Sequence, residues 1–104
     1  MKRDAFILKL KPGNVAEYKR RHDEIWPELV EEIRKSGVQD FSIFLDEESL
    51  TLFAYRKIKE GVESDEKPIS DVSRRWRDYM ADILEVNPDN SAKCRFLREV
   101  FHLE

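Results

Sequence analysis

The sequence is poor in the residues that build disulfides, phosphate-binding loops and metal sites. It has one cysteine, three glycines and two histidines in 104 residues. The lone Cys94 cannot form an internal disulfide, which favours a reducing, cytoplasmic compartment. The glycines are not spaced as a phosphate-binding loop requires. No HxxxH pair and no second cysteine are present, so we expect no metal site.

The chain also lacks long apolar runs and an excess of positive charge. The longest purely apolar run, Ala5–Leu8, is far too short for a membrane span, and no charged segment precedes a long apolar one as in a signal peptide. A net charge of −3 and an isoelectric point near 5.5 do not suggest a nucleic-acid partner. We therefore expect a protein that binds neither membranes nor nucleic acid.

The composition is that of a soluble globular domain with a charged surface. Hydrophobic residues make up 40% of the chain and charged residues 39%. The length is enough for one modest core and not for two. We therefore treat residues 1–104 as a single domain.

The first half of the chain predicts a strand, a helical region and a second strand. Segment 5–11 is apolar and stops at a Pro-Gly turn, as a strand would. Asn14 is then placed to be the N-cap of a helix. Pro27 must kink or restart that helix, because proline lacks an N–H group. Gly37 is a natural helix end.

The second half predicts a hairpin, a second helix and a last strand. Segments 39–46 and 50–58 are strand-like and are joined by a short polar turn. Residues 60–68 have the composition of a surface loop. Ser70 can cap a second helix, and a last strand is expected within 95–103.

The resulting order, β-α-β-β-α-β, is that of a ferredoxin-like α+β domain. The first strand carries Phe6 and Leu8 on one face and Ala5 and Ile7 on the other. An antiparallel sheet with one solvated face shows polar residues there. Because two helices cover only one face, we expect the other face to be buried in a homodimer with the sheets packed face to face.

Tyr18 and His22 form the most informative pair in the sequence. Four residues apart in a predicted helix, they project to the same side. Histidine exchanges protons near neutral pH, and the phenol can orient a polar ligand. The alternative is an inert histidine at the edge of the core. The second histidine, His102, stands in the last predicted strand and has no comparable neighbour.

Two tryptophans and an arginine cluster are candidates for contacting a small ligand. Trp26 and Trp76 are either core aromatics or a platform for the apolar face of a sugar. Arg77, next to Trp76, is either a solvated helix charge or a donor of hydrogen bonds to ligand oxygens. These alternatives remain open from the residues alone.

The chain resembles the L-rhamnose mutarotase family along nearly its full length. The resemblance is carried by AF at 5–6, EYKRRHDEIWPEL at 17–29, FSIFLD at 41–46, DVSRRWRDYM at 71–80, NPDNS at 87–91 and EVFHL at 99–103. It implies ferredoxin-like subunits forming a dimeric α/β barrel. It also implies interconversion of the α and β anomers of L-rhamnose without metal or organic cofactor.

The resemblance also implies roles for particular residues. The proton-donating histidine of the family falls on His22, and its substrate-contacting tyrosine and tryptophan fall on Tyr18 and Trp76. Phe41 stands where members such as the enterobacterial enzyme carry a substrate-contacting tyrosine, and Arg77 where that enzyme has a second tryptophan. We place all four in the predicted substrate site. The two departures leave a related deoxysugar such as L-fucose open as the preferred substrate.

General acid–base catalysis suits mutarotation, because the ring oxygen gains a proton while the anomeric hydroxyl loses one. His22 is expected to protonate the ring oxygen, and Glu28, Asp89 or water to accept the other proton. Two rival functions remain. One is a cofactor-independent oxygenase or haem-degrading protein, supported by fold analogy only. The other is a non-catalytic sugar-binding domain.

Overall fold

The structure, a computed structural model, describes residues 2–60 and 69–104. Most of the surface loop predicted at 60–68 therefore lies outside the described residues. The described part forms a small α+β fold with three helices and a four-stranded sheet. In chain order the elements are β1 (Lys2–Lys9), α1 (Val15–Asp23), α2 (Pro27–Lys35), β2 (Val38–Asp46), β3 (Thr51–Ile58), α3 (Asp71–Met80) and β4 (Cys94–Leu97).

The strands lie in the order β2-β3-β1-β4, and each neighbouring pair is antiparallel. Leu8 lies opposite Leu52 and Phe6 opposite Ala54, so the register keeps one set of apolar side chains on one face. The register of β2 against β3 shifts between Gln39 and Ser42. Such a bulge bends the strand and redirects the side chains next to it.

The first helical region is divided into two helices, as the position of Pro27 predicts. Pro27 is the first residue of α2, where its missing N–H group costs nothing. Trp26 before it has an extended backbone (φ −63°, ψ 129°), which is the conformation that a following proline favours. Gly37 follows the end of α2 with φ 89°, and its N–H donates to the Arg34 carbonyl at 3.0 Å.

The two predicted helix caps differ in outcome. Ser70 is confirmed, because its hydroxyl accepts the Ser73 N–H at 3.2 Å. Asn14 occupies the predicted N-cap position of α1, but its side chain makes no cap hydrogen bond. Its amide instead donates to the carbonyls of Lys11 and Pro12 at 3.2 and 3.0 Å. The side chain is therefore used to hold the preceding turn together.

The core lies between the helices and one face of the sheet. Its largest fully buried side chains are Leu10 and Leu52, each 1% exposed. The other buried residues of this cluster are Tyr18, Met80, Ile83 and Leu84. Tyr18 thus belongs to the core cluster and lies in the same helix as His22.

The opposite face of the sheet is apolar and uncovered in the described structure. We call this the outer sheet face, formed by Ala5, Ile7, Phe44, Phe53, Tyr55 and Leu97. Phe44 is 65% exposed and Phe53 is 43% exposed, and the two are cross-strand neighbours. The sequence pattern that predicts apolar residues on both faces is therefore matched by the fold.

The last strand is shorter than the segment predicted for it. β4 ends at Leu97, and residues 98–104, which we call the tail, form no helix or strand and are exposed. Arg3 of β1 holds the start of the tail through an ion pair with Glu99 at 2.7 Å.

Candidate active site

A wide groove opens between α1, α2 and the helix-facing side of the sheet, with a volume of about 1300 Å³. It contains four of the five predicted site residues, Tyr18, His22, Phe41 and Trp76. The rest of its lining is mainly apolar, and its charged members are Lys19, Asp23, Arg34, Asp40 and Glu47. The fold thus brings residues from two helices and a strand into one cleft.

Tyr18 and His22 lie side by side in the groove, as their helical spacing predicts. Their ring centroids are 4.3 Å apart with an angle of 32° between the planes. Tyr18 is 8% exposed, and burial raises the pKa of its phenol. A phenol with a raised pKa stays protonated near neutral pH, so Tyr18 is a hydrogen-bond donor there and not a base.

The orientation of the His22 ring leaves one nitrogen free for chemistry. Its Nδ1 lies 3.0 Å from the Tyr18 carbonyl oxygen, one helical turn earlier. A carbonyl can only accept, so Nδ1 carries the hydrogen and Nε2 is the nitrogen left to exchange a proton. Burial lowers the pKa of His22, and the bond to the Tyr18 carbonyl acts in the opposite direction.

Trp76 closes the other side of His22. The two ring centroids are 5.5 Å apart and the planes are perpendicular. Trp26 packs on Trp76 at 5.1 Å, and Tyr79 stacks on Trp26 at 5.7 Å. Both tryptophans are half-buried. They therefore pack in an aromatic cluster that sets the position of His22, and they also keep surface that can contact a ligand.

Phe41 stands at the mouth of the groove. It lies at the bulge of β2, is 40% exposed, and meets the ring of Phe6 edge-on at 6.5 Å. Its side chain shares the helix-facing side of the sheet with Ile43 and Leu45, as the alternation along a strand requires. An aromatic ring without a hydroxyl offers this part of the groove an apolar surface only.

Arg77 lies apart from the other predicted site residues. Within the described part of the chain it does not line the groove, and its buried Nε has no hydrogen-bond partner there. It lies instead near the loop at 87–91, where hydrogen bonds from Ser91 and, more weakly, the Arg77 charge lower the pKa of Asp89. The α3 helix turns Trp76 and Arg77 about 100° apart, which explains the separation.

The candidate proton acceptors from the sequence are not in the groove lining either. Glu28 faces Arg75 at 3.6 Å, and Asp89 accepts from Ser91 at 2.5 Å. The acidic groups that do line the groove are Asp23, Asp40 and Glu47. Sequence reasoning missed them because the three residues come from a helix, a strand and a turn, which only the tertiary fold brings to one groove.

An ion-pair network fixes α1 against the end of α3. Arg21 is a buried arginine that donates to the Tyr79 carbonyl at 2.8 Å and to Asp82 at 2.9 Å. Glu17 accepts from Arg20 and Arg21, which hold the pKa of its carboxyl at about 2. Glu17 is therefore ionised and acts as a structural anion.

These features define a class of site. A partly buried histidine with one free nitrogen, a protonated phenol and aromatic walls suits proton transfer to a small polar ligand with an apolar face. No three His, Cys, Asp or Glu side chains in the described ranges come together as metal ligands. In those ranges, too, no helix has the length and apolar character to cross a membrane.

Comparison with known proteins identifies the family. Residues 3–103 match the family model for L-rhamnose mutarotase. The chain is 49% identical to the L-rhamnose mutarotase of Bacteroides thetaiotaomicron over the full length of both, and 48% identical to that of Flavobacterium johnsoniae over 98% of this chain and 95% of the relative. The crystal structure of the L-rhamnose mutarotase of Formosa agariphila superposes with a TM-score of 0.90, at 43% identity and full coverage of both chains. The chain belongs to the L-rhamnose mutarotase family.

Proposed function

We propose that this protein is an L-rhamnose mutarotase, an isomerase that interconverts the α and β anomers of a small-molecule sugar. Family membership supports the activity, and it does not favour the oxygenase alternative. The observation that carries the proposal within the structure is the position of His22, with Nε2 free in a groove that also holds Tyr18 and Trp76.

The proposed reaction needs no covalent intermediate. The Nε2–H of protonated His22 gives its proton to the ring oxygen as the C1–O5 bond breaks, while the anomeric hydroxyl loses its proton to a second group. The open-chain aldehyde rotates about C1–C2, and both proton transfers reverse when the ring closes. A lowered pKa makes protonated His22 a stronger acid but a less populated one, which is the usual compromise in general acid catalysis.

The other groove residues are proposed to bind and orient the sugar. Tyr18 donates a hydrogen bond to a sugar oxygen, because its phenol stays protonated. Trp76 and Phe41 contact the apolar face of the ring and its methyl group. Arg77 is kept as a proposed substrate-binding residue, acting from the side of the loop at 87–91, where its charge lies close to Asp89.

We further propose a homodimer in which ferredoxin-like subunits pack sheet against sheet as a dimeric α/β barrel. The element order and the strand order β2-β3-β1-β4 support the ferredoxin-like arrangement. The chain exposes 7685 Å², whereas a monomeric protein of 12.4 kDa exposes about 6,100 Å². The excess of roughly 1,600 Å² is as much as a large subunit interface removes from each partner. The apolar outer sheet face is the surface proposed to be buried there, and the single Cys94 fits the proposed cytoplasmic location.

The proposal is tested by measuring anomer exchange of L-rhamnose and L-fucose by NMR saturation transfer, with and without the protein. We expect the protein to raise the anomer exchange rate of L-rhamnose above the rate in buffer, and to raise that of L-fucose less or not at all. Saturable sugar binding without acceleration would instead support the non-catalytic alternative. A preference for L-fucose would support mutarotase activity with L-fucose, and not L-rhamnose, as the preferred substrate.

A further inference from the structure

The tail is the most exposed apolar segment in the described structure. Val100, Phe101 and Leu103 are 81%, 77% and 79% exposed. An apolar side chain left in water forfeits about 1.5–3 kcal/mol of burial free energy. Because three of the four residues at 100–103 are apolar and exposed, we expect another surface to cover this segment. The ion pair between Arg3 and Glu99 fixes where this segment leaves the sheet.

The groove has more room than a monosaccharide needs. Its volume of about 1300 Å³ exceeds the roughly 300–1,000 Å³ typical of small-ligand pockets. We call its side at the start of β2 the groove mouth, because Asp40 and Phe41 line the groove there and are exposed. Closing this mouth would exclude water from His22, which strengthens the electrostatic interactions that guide proton transfer.

The tail and the groove mouth of the same chain lie at opposite edges of the sheet. β4 and β2 are the two edges of the sheet, three strand spacings or roughly 14 Å apart. The tail does leave at the correct end, however. Lys2 of β1 lies opposite Ile58, and Ile58 lies opposite Val38 at the start of β2, so the tail and the groove mouth share one end of the sheet.

We propose that the tail of each protomer docks on the groove mouth of a second copy of the chain and completes its active site. The inference rests on the homodimer given above. A twofold axis parallel to the strands, between two outer sheet faces, places β4 of one protomer over β2 of the other and keeps the same strand ends together. Packed sheets lie about 10 Å apart, and the five residues beyond the tethered Glu99 span roughly 17 Å when extended, so the tail can pass around the β2 edge.

In this arrangement Phe101 of the partner subunit packs near Phe41, and the site is incomplete in a single chain. The tail also brings His102, a second titratable group, to the edge of the groove. A second copy of the chain is the partner that fits, because each chain carries both an uncovered tail and an open groove. A twofold axis lets each of the two tails fill the groove of the other chain.

Subunit mixing tests the proposal. One variant carries His22→Ala with the tail intact, and the other keeps His22 but carries Phe101→Ser. We expect each homodimer to lose about tenfold or more of the exchange rate of L-rhamnose. Co-expressed together, they form heterodimers in which the intact His22 receives the intact tail, which restores about a quarter of the wild-type rate per protomer for random pairing. If the tail acts within its own chain, mixing restores nothing, and the proposal is wrong.

A second measurement is independent of activity and of the folding of the Phe101 variant. With Cys94→Ser removing the lone cysteine, Leu103→Cys provides a single site for a nitroxide label. Labelled protomers are mixed with unlabelled, isotope-enriched ones. Broadening of the Phe41 signals in the enriched protomer places the tail on the partner subunit. Unchanged Phe41 signals in a confirmed dimer overturn the tail placement, while absence of wild-type exchange activity would count against the proposed function alone.

Discussion

His22 owes its chemical character to two neighbours, the Tyr18 carbonyl and Trp76. The backbone carbonyl of Tyr18 takes the Nδ1 hydrogen, and burial next to Trp76 disfavours the charged form of the ring. Helical spacing predicts the first neighbour. The position of Trp76 is set by how α3 packs against α1. Tertiary packing of this kind cannot be predicted from the local sequence pattern.

The lowered pKa of His22 predicts a pH-dependent stability. In the unfolded chain the ring takes up a proton as the pH falls below its ordinary value of 6.5, whereas the folded protein resists this until lower pH. The unfolded state then binds more protons, so the folded state loses stability as the pH falls through that window. We expect the free energy of unfolding of wild type relative to His22→Gln to decrease between about pH 7 and 5.

Urea denaturation of both proteins at the two pH values measures that difference. Using the difference cancels the titration of carboxylates, which the two proteins share. A difference that is unchanged or grows on acidification would mean that His22 is not buried as described. A direct NMR titration of the imidazole should place its pKa below 6.5.

Phe41 lines the groove with an aromatic ring that carries no hydroxyl. Phe41→Tyr adds a hydroxyl at the groove mouth, and one new hydrogen bond to the sugar is worth about 0.5–1.5 kcal/mol. We therefore expect the KM for L-rhamnose to fall by about 2- to 10-fold. Phe96→Tyr is the matched control, because Phe96 is also exposed but does not line the groove in the described structure. An equal effect of both variants would show that Phe41 does not contact the sugar.

At the scale of the elements, α1 is held by one buried cation. Arg21 and Arg20 are adjacent and both contact Glu17, but only Arg21 is buried and bonded to Asp82 and to the Tyr79 carbonyl. The charge pattern of the helix indicates both ion pairs with Glu17. It does not indicate which arginine turns inward, because that depends on the position of the end of α3.

The two arginines therefore make a matched pair of substitutions. Arg21→Ala removes charge-assisted hydrogen bonds that join α1 to α3 and is expected to lower the free energy of unfolding by about 1–3 kcal/mol. Arg20→Ala removes only solvent-screened contacts and is expected to leave stability close to wild type. Urea denaturation with a common slope measures both. Equal losses would contradict the assignment of Arg21 as the tie between the two helices.

The element boundaries show which local signals are reliable. Pro27 and Gly37 act through their own backbone constraints, so their positions predict the start and the end of α2 directly. Asn14 has several hydrogen-bonding options, and the preceding turn takes its amide in place of the helix N-terminus. The last strand, expected within 95–103, lies at Cys94–Leu97 and ends there although apolar residues continue to Leu103.

At the scale of the whole molecule, the period-two pattern predicts a sheet that is apolar on both faces. The fold has that property, whereas the pairing of two chains stays a prediction. Phe44→Lys places a charge on the outer sheet face beside Phe53 and is expected to convert a dimer to a monomer. Ile69→Lys is the control, because Ile69 is also exposed and apolar but lies outside that face.

Sedimentation velocity distinguishes the outcomes. We expect wild type and Ile69→Lys to sediment as dimers and Phe44→Lys as a monomer. A dimer that survives Phe44→Lys would mean that the chains pair through another surface. A monomeric wild type would contradict the proposal that a second copy of the chain buries the outer sheet face.

The central claim is that His22 transfers the proton that opens the sugar ring. Its most direct test is the anomer exchange rate of L-rhamnose with wild type and with His22→Ala at equal protein concentration, and with Arg20→Ala as the control on the same helix. General acid–base catalysis contributes about 10²- to 10⁴-fold, so we predict that His22→Ala loses at least about 100-fold of the acceleration while Arg20→Ala keeps it. Full acceleration by a folded His22→Ala protein would contradict the account.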